Sequence, residues 1–513
     1  MSADDLLARD FATLPELIRA RADAHPDRVA LVAGERRLTY GELAALMDRI
    51  AFALQRDGVG EGAVAAICAR TSIEYAAAFC GVLAAGAAVA PLAPSATAGS
   101  LALMLEDSGA GVFFLDREVA VSLESVSDDG GAKRVALDGS EAGVALVDWL
   151  GPVGAKPRAV ATKPDDPFDI VYSSGTTDAP KGIVQPHRMR FEQFRRRSLP
   201  EASVVMVSTP LYSNTTLVVF LPTLAHGGTA VLMAKFDAEQ FLALSQKHRA
   251  THAMLVPVQY QRLMARPDFE RYDLSSYLLK FSTSAPFPAL LKADVLKRWP
   301  GGLVEYYGMT EGGGSTILAA HEFPHKLHTV GKPMEGHDIR LIDENGREVH
   351  KGGVGEVVGR SVSMMVGYNN QPEKTKEAEW RDPAGLRYIR TGDIGRFDED
   401  GFLILIDRSK DVIISGGFNI YPSDIEAEFI RHEAVLEAAV VGVSSETWGE
   451  TPVAFVVLKP GRQEAAGELK DWVNARVGKT QRVADLRIVE ILPRSSIGKI
   501  LKRELREEYA ASS

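Results

Sequence analysis

Short apolar runs alternate with helical patterns through most of the chain. The clearest stretch reads VAAICAR at 64–70, followed by EYAAAFCGVLAAG, AVAPL, SLALMLEDSG and VFFL. Short apolar runs bounded by Gly or Pro are typical of buried strands, whereas the longer segments between them have the periodicity of helices. This alternation predicts parallel sheets with covering helices, that is, an α/β fold.

Part of this pattern could also be a membrane segment, because residues 75–105 contain no charged side chain. A stretch of that length can span a bilayer. Ala and Gly dominate it, however, and Pro91 and Pro94 interrupt it. Because alanine gains little from lipid and proline breaks helices, we expect a packed helix, the buried strand AVAPL and a turn, with no stable membrane insertion.

Two changes of pattern indicate the domain organisation. Residues 122–166 are rich in Gly, Asp and Ser, which predicts a loop-rich excursion before the apolar strand DIVYSS. The segment DEDGFLILIDRSKD precedes a compact helix and strand unit that ends in the charged, amphipathic KILKRELREEY. We therefore predict two domains, residues 1–407 and residues 408–513, the second of which ends in a helix.

Composition and charge exclude several classes of protein. The 513 residues are enough for about three compact bodies. The net charge of −10 repels phosphate backbones and anionic membranes, so a nucleic-acid partner is not expected. Cys68 and Cys80 lie in apolar surroundings without metal-ligand spacing, and the start MSADDLLARD lacks the features of a signal peptide. These features predict a cytoplasmic protein with core cysteines.

The first candidate motif is YSSGTTDAPKG at 172–182, where an apolar strand runs into hydroxyl-rich turns and a lysine. Hydroxyls, backbone N–H groups and one cation are what a phosphate chain needs. The motif is not a Walker A loop, because Pro180 stands at the second glycine position and no Ser or Thr follows Lys181. Taken alone, the same residues would also suit an ordinary turn.

Further candidate motifs follow in order along the chain. EYYGMTEGGG at 305–314 offers an aromatic face, a hydroxyl and a carboxylate, which can stack a base and hold Mg²⁺. YIRTGD ends at Asp393, DRSKDVIISGG spans 407–417, and RSSIGKILKREL places Lys499 in a short loop before the last helix. Each is weak alone, and their order and spacing together carry the information.

In this order the motifs resemble those of the adenylate-forming enzyme superfamily, which contains acyl-CoA synthetases, aryl-CoA ligases, peptide-synthetase adenylation domains and beetle luciferases. The similarity extends from LTYGEL at 38–43 to IGKILKREL. It implies a large N-terminal domain of stacked α/β subdomains with a β-barrel-like portion, plus a small mobile α+β C-terminal domain. It also implies an acid:CoA ligase that uses ATP, Mg²⁺ and coenzyme A: a carboxylate attacks ATP to give acyl-AMP and pyrophosphate, and a thiol then displaces AMP.

The resemblance implies nucleotide and metal roles for residues of each motif. The phosphate-binding positions are Ser173, Ser174, Gly175, Thr176, Thr177 and Lys181, and the Mg²⁺ positions are Thr176 and Glu311. The adenine positions are Ser284, Ala285, Pro286 and Tyr307, with Gly308, Met309 and Thr310 in the same nucleotide-binding motif, and the ribose positions are Asp393 and Arg408.

By the same resemblance, Lys499 bridges the substrate carboxylate and the α-phosphate, where a cation offsets the charge of two approaching anions. Lys410 is the implied hinge, and Gly416 with Gly417 lines the thiol tunnel, where glycine lets the pantetheine arm approach the backbone.

The acyl pocket is implied to have small or mildly polar walls. The wall positions are Tyr212, Ser213, Thr215, Ser282, Thr283, Gly312, Gly313 and Gly314. None is Arg or Lys, so a dicarboxylate such as malonate is disfavoured, because its second charge would be buried unpaired. Small walls favour an aryl or medium-length acyl monocarboxylic acid.

Two residues depart from the family pattern. Asp178 stands where the phosphate loop usually has Gly, and Ser213 stands where many relatives have His in PLFH or PLYH. The first places an anion near phosphates, and the second weakens any transfer of substrate by analogy.

Several alternatives stay open from sequence. The thiol acceptor could be a carrier protein, and a nucleotide-binding homologue without catalysis is a third reading; a homodimer is one option for the assembly. His321, His325 and His328 have metal-like spacing, but Pro324 favours a loop of surface histidines. The basic run at 188–197 is interpreted as the solvated face of a helix, with CoA phosphates as the alternative.

Overall fold

The computed structural model describes residues 1–126, 131–173, 180–196, 199–415, 418–445, 447–495 and 498–512. Their contacts define two compact units. Unit 1 comprises Met1–Leu327, Pro333–Asp338 and Gly359–Ile389, and unit 2 comprises His328–Lys332, Ile339–Val358 and Arg390–Ser513.

Helices and strands alternate along the chain as the sequence pattern predicts. The helices are α1 Ala3–Leu7, α2 Leu14–Ala24, α3 Tyr40–Arg56, α4 Ile73–Ala85, α5 Ala98–Ser108, α6 Arg117–Leu123, α7 Leu146–Trp149, α8 His187–Arg196, α9 Asn214–Ala225, α10 Ala238–Lys247, α11 Pro257–Met264, α12 Ala289–Arg298, α13 Pro372–Glu377, α14 Pro422–Ile430, α15 Ala466–Asn474 and α16 Lys502–Ala511. The strands are β1 Val29–Ala33, β2 Arg36–Thr39, β3 Val64–Cys68, β4 Ala88–Pro91, β5 Val112–Leu115, β6 Lys133–Ala136, β7 Val144–Ala145, β8 Pro167–Ser173, β9 Lys181–Pro186, β10 Val204–Val207, β11 Thr229–Leu232, β12 His252–Leu255, β13 Leu279–Ser282, β14 Gly302–Tyr307, β15 Thr316–Ala319, β16 Lys332–Pro333, β17 Asp338–Ile342, β18 Gly355–Arg360, β19 Gly367–Tyr368, β20 Glu379–Arg381, β21 Arg387–Phe397, β22 Leu403–Arg408, β23 Ile413–Ser415, β24 Phe418–Ile420, β25 Val435–Ser445, β26 Gly449–Leu458 and β27 Asp485–Ile488.

Unit 1 contains two large sheets. One has the strand order β15-β14-β13-β12-β10-β11-β1-β2, in which β14 through β1 run parallel. The other has the order β19-β9-β8-β4-β3-β5-β6-β7, with a parallel centre and the antiparallel hairpin β8–β9 at one side. The carboxyl ends of parallel strands meet at one edge of a sheet, where ligands of α/β proteins bind.

One hydrophobic core connects these sheets. It joins buried residues of β1, β10 and β11 with those of β3, β4 and β5 through the helices α2, α3, α4 and α9. Apart from Glu74, every residue of helix α4 is buried, which fits a helix that is apolar on all sides. Neighbouring residues fix both ends of this helix. The Ser72 hydroxyl accepts from the N–H of Tyr75 at 3.0 Å, and Gly86 ends the helix at φ 88°.

The structure confirms the elements expected at 64–115. The uncharged stretch 75–105 divides into α4, β4 and α5, as the sequence predicts. Among the described residues, no helix is both long and apolar enough to cross a membrane. Cys68 and Cys80 are buried and unpaired by disulfides, which agrees with their interpretation as core residues.

The interpretation of the basic run is correct in part. The run does form α8, and Arg195 and Arg196 are exposed. Arg190 is fully buried instead, where it donates to Asp169 of β8 at 2.6 Å. Because neither side chain is exposed to water, this arginine fixes α8 to the sheet and does not belong to a solvated face.

The C-terminal part of unit 2 is an α+β body. Its sheet has the order β24-β23-β26-β25, with β27 parallel to β26. One face of the sheet packs on α14 and α15 through Ile425, Phe429 and Leu469, and the other face packs on Leu505 of α16. The predicted C-terminal amphipathic helix is therefore confirmed. The β-rich portion of the chain is the group of strands from β17 to β22.

Candidate active site

Most of the residues singled out in unit 1 follow the carboxyl ends of strands in the first sheet. Strand β10 leads to Tyr212 and to Ser213, β13 ends at Ser282, and β14 ends at Tyr307. Because β10, β12, β13 and β14 are parallel neighbours, the segments that follow them share one edge of the sheet. The topology therefore brings the predicted acyl-wall and adenine residues to the same edge.

The predicted phosphate loop lies between β8 and β9 of the second sheet. Ser173 pairs with Lys181 at the end of this antiparallel hairpin. Ser174, Gly175, Thr176 and Thr177, together with the departure Asp178, lie outside the described residues. The ammonium of Lys181 lies 5.3 Å from the centroid of the Tyr368 ring, a cation–π distance.

Glu311 lies in the segment between β14 and β15. Its Oε1 accepts a hydrogen bond of 2.9 Å from the Tyr368 hydroxyl. Burial and the Glu311 carboxylate raise the pKa of Tyr368, so the phenol keeps its proton and donates. The preceding turn is also fixed, because Gln185 donates to the carbonyl of Thr310 at 2.5 Å.

Glycine is required next to this carboxylate. Gly312 and Gly313 have φ of 75° and 87°, a region that other residues seldom adopt. A Cβ on Gly312 would lie 2.1 Å from the Ser363 carbonyl oxygen, and one on Gly313 would lie 2.7 Å from the Gly359 carbonyl oxygen. These positions hold backbone against backbone, which fixes where the Glu311 side chain begins.

Ser284 has an unusual backbone in the adenine segment. Its φ of 81° is in the left-handed region, which costs a non-glycine residue on the order of 1–3 kcal/mol. Its hydroxyl shares a hydrogen bond of 2.5 Å with the hydroxyl of Thr215, a predicted acyl-wall residue on α9. Ala285 is half-buried and Pro286 is exposed.

The other wall positions lie at the N-terminal end of α9 and at the carboxyl end of β13. Ser213 is the N-cap residue of α9 and is buried, although its side chain makes no capping hydrogen bond. In the described part of the chain, Oδ1 of the neighbouring Asn214 and Oγ of Ser282 are buried without a hydrogen-bond partner. Thr283 is half-buried. This wall has hydrogen-bonding groups to offer a ligand.

Glu305, the first residue of the second motif, points away from solvent. It forms an ion pair with Lys292 of α12, and both side chains are buried. Burial raises the pKa of Glu305 to about 7, against the opposing effect of Lys292. The pair ties β14 to the helix that follows the adenine segment, so it positions this part of the site.

Unit 2 contains the remaining predicted residues. Asp393 of β21 and Arg408 of β22 are register partners, and Nε of Arg408 lies 3.0 Å from Oδ1 of Asp393. Beside them is a cavity of about 360 Å³ lined by Thr391, Gly392, Arg408, Ser409 and Lys410. The structure thus brings the predicted ribose residues and the predicted hinge to one cavity. Gly416 and Gly417 lie outside the described residues.

Lys499 is held in a tight turn of unit 2. Its N–H donates to the Ser495 hydroxyl at 3.2 Å, and its carbonyl accepts from the Ser495 N–H at 2.8 Å. Arg494 braces the turn, since it donates to the Gly498 carbonyl at 2.7 Å and to Glu437 at 2.8 Å. These bonds fix the main chain from which the Lys499 side chain extends.

Electrostatics connect Lys499 with the residues of the cavity. Burial and, to a smaller extent, the positive charges of Arg408 and Lys410 lower the pKa of Lys499 to about 8, while Asp393 acts in the opposite direction. Burial and its cationic neighbours also lower the pKa of Lys410. A crowded cationic site of this kind is suited to anionic ligands.

Sequence reasoning missed three residues of these sites. Tyr368 and Arg494 contact or brace predicted site residues, and Asp107 of the α5 end accepts from the Tyr172 hydroxyl at 2.6 Å. The run GYNN at 367–370 is the only local signal, an aromatic residue and two amides after a glycine.

The first site, formed in unit 1 by Glu311, Tyr368 and Lys181, has donor atoms that suit a magnesium ion bound mainly through a ligand's phosphates. Glu311 is half-buried, and a carboxylate with one oxygen bonded to a phenol retains acceptor capacity. Within the described ranges, no cluster of three or more His, Cys, Asp or Glu side chains could hold a metal by itself. Mg²⁺ bound to substrate phosphates needs only one or two carboxylates. The segment with His321 and His325 is a loop with the short 3₁₀ helix Pro324–Lys326, and both histidines are exposed.

Comparison with known proteins covers the whole chain. Residues 18–369 match the family described as AMP-binding enzyme, and residues 424–499 match the AMP-binding enzyme C-terminal domain. The chain is 33% identical to 4-coumarate–CoA ligase-like 9 of Oryza sativa subsp. japonica, over 98% of this chain and 93% of that protein. It is 30% identical to the fatty acid–[acyl-carrier-protein] ligase ScoC of Streptomyces coeruleorubidus, over 99% of both chains.

A solved structure agrees with the sequence relatives. ATP-bound MatB from Rhodopseudomonas palustris superposes with a TM-score of 0.86 at 28% identity, over 97% of this chain and 99% of that one. The motifs occur in the order found in adenylate-forming enzymes, and the family match extends over most of the chain. The protein therefore belongs to the AMP-binding enzyme family.

Proposed function

We propose that the protein is an AMP-forming acid:CoA ligase that activates a monocarboxylic acid. The observation that carries the proposal is the cationic site of unit 2, where Arg408 pairs with Asp393 and the charges of Arg408, Lys410 and Asp393 act on the ammonium of Lys499. A half-buried ammonium among other cations is stabilised when anions arrive, and the first step of this reaction brings two anions together.

In the first step, a carboxylate oxygen of the acid attacks the α-phosphorus of ATP. The new bond joins that oxygen to phosphorus, the bond to the β-phosphate breaks, and pyrophosphate leaves with its electron pair. Lys499 offsets the charge of carboxylate and α-phosphate, Asp393 accepts from the ribose hydroxyls, and Arg408 supports Asp393. In the second step, the thiol of CoA loses its proton to solvent and its sulfur bonds to the acyl carbon. The bond between that carbon and the phosphate oxygen breaks, and AMP leaves with the electron pair.

The residues of unit 1 take the nucleotide and metal roles in this proposal. The adenine group comprises Ser284, Ala285, Pro286, Tyr307, Gly308, Met309 and Thr310, and the phosphate group comprises Ser173, Ser174, Gly175, Thr176, Thr177 and Lys181. Glu311 and Thr176 would hold Mg²⁺, which neutralises phosphate charge when bound. Two contacts of Tyr368 support these roles: its hydroxyl donates to the Glu311 carboxylate, and its ring face lies near the ammonium of Lys181.

The proposal also includes a movement between the steps. Residues 408–513 form the mobile domain, with Lys410 as the hinge and with Gly416 and Gly417 at the thiol tunnel. Lys410 follows the end of β22 and lines the cavity next to Arg408, which supports a pivot at this point of the chain. Glycines at 416 and 417 would leave room for a pantetheine arm.

An aryl or medium-chain acid is the proposed substrate. The walls named above carry hydroxyl, phenol and glycine groups and no Arg or Lys, so a second carboxylate would lack a partner there. The relative from Oryza sativa is named as a 4-coumarate–CoA ligase-like protein, which is consistent with an aryl acid. Tyr212 and Thr215 border the same turn of α9 as the buried Ser213.

Exchange between ATP and labelled pyrophosphate tests the proposal, because it reports adenylation without assuming the acceptor. Benzoates, cinnamates and short, medium and long fatty acids form the panel, with Lys499→Ala as the inactive control. Exchange with one acid class, followed by acyl-CoA formation when CoA is added, is the expected result. ATP binding without exchange on any acid would favour a catalytically silent homologue, which the retained Glu311, Asp393, Arg408 and Lys499 argue against.

A carrier protein is the second candidate for the thiol acceptor. The relative ScoC is named as a ligase for an acyl carrier protein, at 30% identity over nearly the whole chain. CoA and a phosphopantetheinylated carrier protein compete for the same acyl-AMP, so comparing their transfer rates distinguishes the two functions.

A cytoplasmic location and a homodimer complete the proposal. The buried Cys68 and Cys80, which form no disulfide, agree with a reducing compartment.

A further inference from the structure

Tyr368 contacts both charged groups of the first site. Its hydroxyl donates to Oε1 of Glu311 at 2.9 Å, and its ring face lies 5.3 Å from the ammonium of Lys181. A half-buried phenol thus lies between the carboxylate proposed for Mg²⁺ and the ammonium proposed for phosphates. In the sequence, only its place in the run GYNN at 367–370 singles out this residue.

The strand that carries Tyr368 is fixed to the phosphate hairpin. Strand β19 pairs with β9, with Tyr368 opposite Ile183, and the N–H of Asn369 donates to the Gly182 carbonyl at 2.6 Å. The N–H of Tyr368 itself donates to the Thr375 hydroxyl at 2.8 Å. A shift of β9 would therefore carry Tyr368 with it.

Asp107, at the end of α5, holds the other side of this strand. The Asn369 amide donates to its carbonyl at 2.7 Å, and the Asn370 amide donates to the same carbonyl at 3.0 Å. Its carboxylate accepts from the hydroxyl of Tyr172, the residue before Ser173, at 2.6 Å. Asp107 thus anchors both the C-terminal end of β8 and the strand that carries Tyr368.

We propose that Tyr368 is a positioning residue that orients the Glu311 carboxylate for Mg²⁺, and that Asp107 fixes the strand from which Tyr368 acts. The inference rests on the proposed function, since it needs Mg²⁺–ATP to bind at Glu311. Hydrogen-bond partners of metal ligands fix ligand orientation, and their loss costs about 10–100-fold in metal affinity or activity.

Equilibrium binding of ATP to the full-length protein without an acid tests the proposal. Titration calorimetry gives the ATP dissociation constant without metal and over a series of Mg²⁺ concentrations. For Tyr368→Phe, the Mg²⁺ concentration that gives half of the tightening is expected to rise at least about tenfold, while metal-free ATP affinity is unchanged.

Tyr388→Phe is the matched control. The Tyr388 hydroxyl donates to Oδ2 of Asp338 at 2.5 Å, another tyrosine–carboxylate bond of unit 1 outside the proposed site. This variant should keep the wild-type response to Mg²⁺. If Tyr368→Phe loses metal-free ATP affinity to the same extent, or responds to Mg²⁺ as the wild type does, the positioning role is wrong.

A double-mutant cycle separates this inference from the function on which it rests. In a Glu311→Gln background, Tyr368→Phe should have no further effect on the response to Mg²⁺, because the carboxylate is already gone. Full additivity would overturn the positioning role. If the ATP affinity of the wild-type protein does not change with Mg²⁺ concentration, the metal role of Glu311 is wrong, and the inference loses its basis.

The Asp107 step has its own variant. Asp107→Asn keeps the main-chain carbonyl to which the amides of Asn369 and Asn370 donate. It removes the charge of the carboxylate, which accepts from the Tyr172 hydroxyl at 2.6 Å and from the same two amides at 3.1 and 3.3 Å. Asp107→Asn should raise the Mg²⁺ concentration that gives half of the tightening of ATP binding, as Tyr368→Phe does, but by a smaller factor. An unchanged response in Asp107→Asn, with Tyr368→Phe behaving as expected, would remove Asp107 from the proposal.

Discussion

Replacing Lys499 with alanine is expected to separate the two half-reactions. The charges of Arg408 and Lys410 act on the ammonium of Lys499, which marks a cationic site suited to converging anions, and anions converge during adenylation. Thiolation starts from acyl-AMP, in which carboxylate and α-phosphate are already joined. Alanine at 499 should therefore abolish the first half-reaction and largely spare the second.

The pKa gives the magnitude. A shift from 10.5 to about 8 means that holding the Lys499 ammonium in the free protein costs about 3 kcal/mol. Arriving anions reverse this cost, so the ammonium contributes more strongly as the transition state forms. Loss of one such charge-stabilising group typically lowers the rate about 10²–10³-fold, and we expect at least that decrease in ATP–pyrophosphate exchange.

Two assays measure the halves separately. Exchange of labelled pyrophosphate into ATP reports adenylation, and release of AMP from synthetic acyl-AMP with CoA reports thiolation. Lys479→Ala is the control, an exposed lysine of the same unit, and it should leave both rates unchanged. A Lys499→Ala protein that loses both activities to the same extent, with unchanged thermal stability, would refute the division of labour.

Three further results are expected. Lys410→Ala removes a positive charge that lowers the pKa of Lys499, so this pKa should rise. Adenylation needs the Lys499 ammonium and should decline in the wild type as pH rises through about 8; a pH–rate profile of the variant should show the decline at a higher pH. Gly312→Ala should reduce exchange at least about tenfold because its Cβ meets a carbonyl oxygen, whereas Gly385→Ala, also at positive φ but with no atom within 4 Å, should lose only about 1 kcal/mol of stability. Lys280→Met should lower the free energy of unfolding by about 3 kcal/mol in urea titrations, since the buried ammonium donates to three main-chain carbonyls.

The alternating elements were predictable because their signals are local. The segment 64–115 contains apolar runs of strand length, uncharged helices and glycine stops, and the structure has the expected elements there. The loop at 321–328 and the last helix follow from a proline and from amphipathic spacing in the same way. Hydrophobic periodicity and the residues that end helices are properties of neighbouring positions in the chain, so sequence alone reveals them.

Long-range pairing explains what the sequence did not reveal. Arg190 is hydrophilic in any local pattern, and only Asp169 on the adjacent strand makes its burial tolerable. Tyr368 reaches Glu311 across 57 positions, and Asn369 reaches Asp107 across 262. Such contacts depend on how strands order within the sheet, which local periodicity does not encode.

The candidate site was predictable as a set of motifs and less so as an arrangement. Lys499 and Arg408 lie far apart in sequence, and the structure brings them near enough for the charge of Arg408 to lower the pKa of Lys499. The roles given to Ser174 through Thr177, and to Gly416 and Gly417, stay predictions, as does the boundary at 407/408. The acid that fills the pocket depends on side-chain details that no motif specifies.

The hydrogen bond between Thr215 and Ser284 has a consequence for engineering this protein. A library that varies the α9 turn to accept new acids will also release a hydroxyl that restrains the strained backbone of Ser284. Variants chosen for a new acid at saturating ATP can therefore lose nucleotide affinity unnoticed. Randomising both positions together, and selecting at limiting ATP, treats the two subsites as the single unit that this bond makes of them.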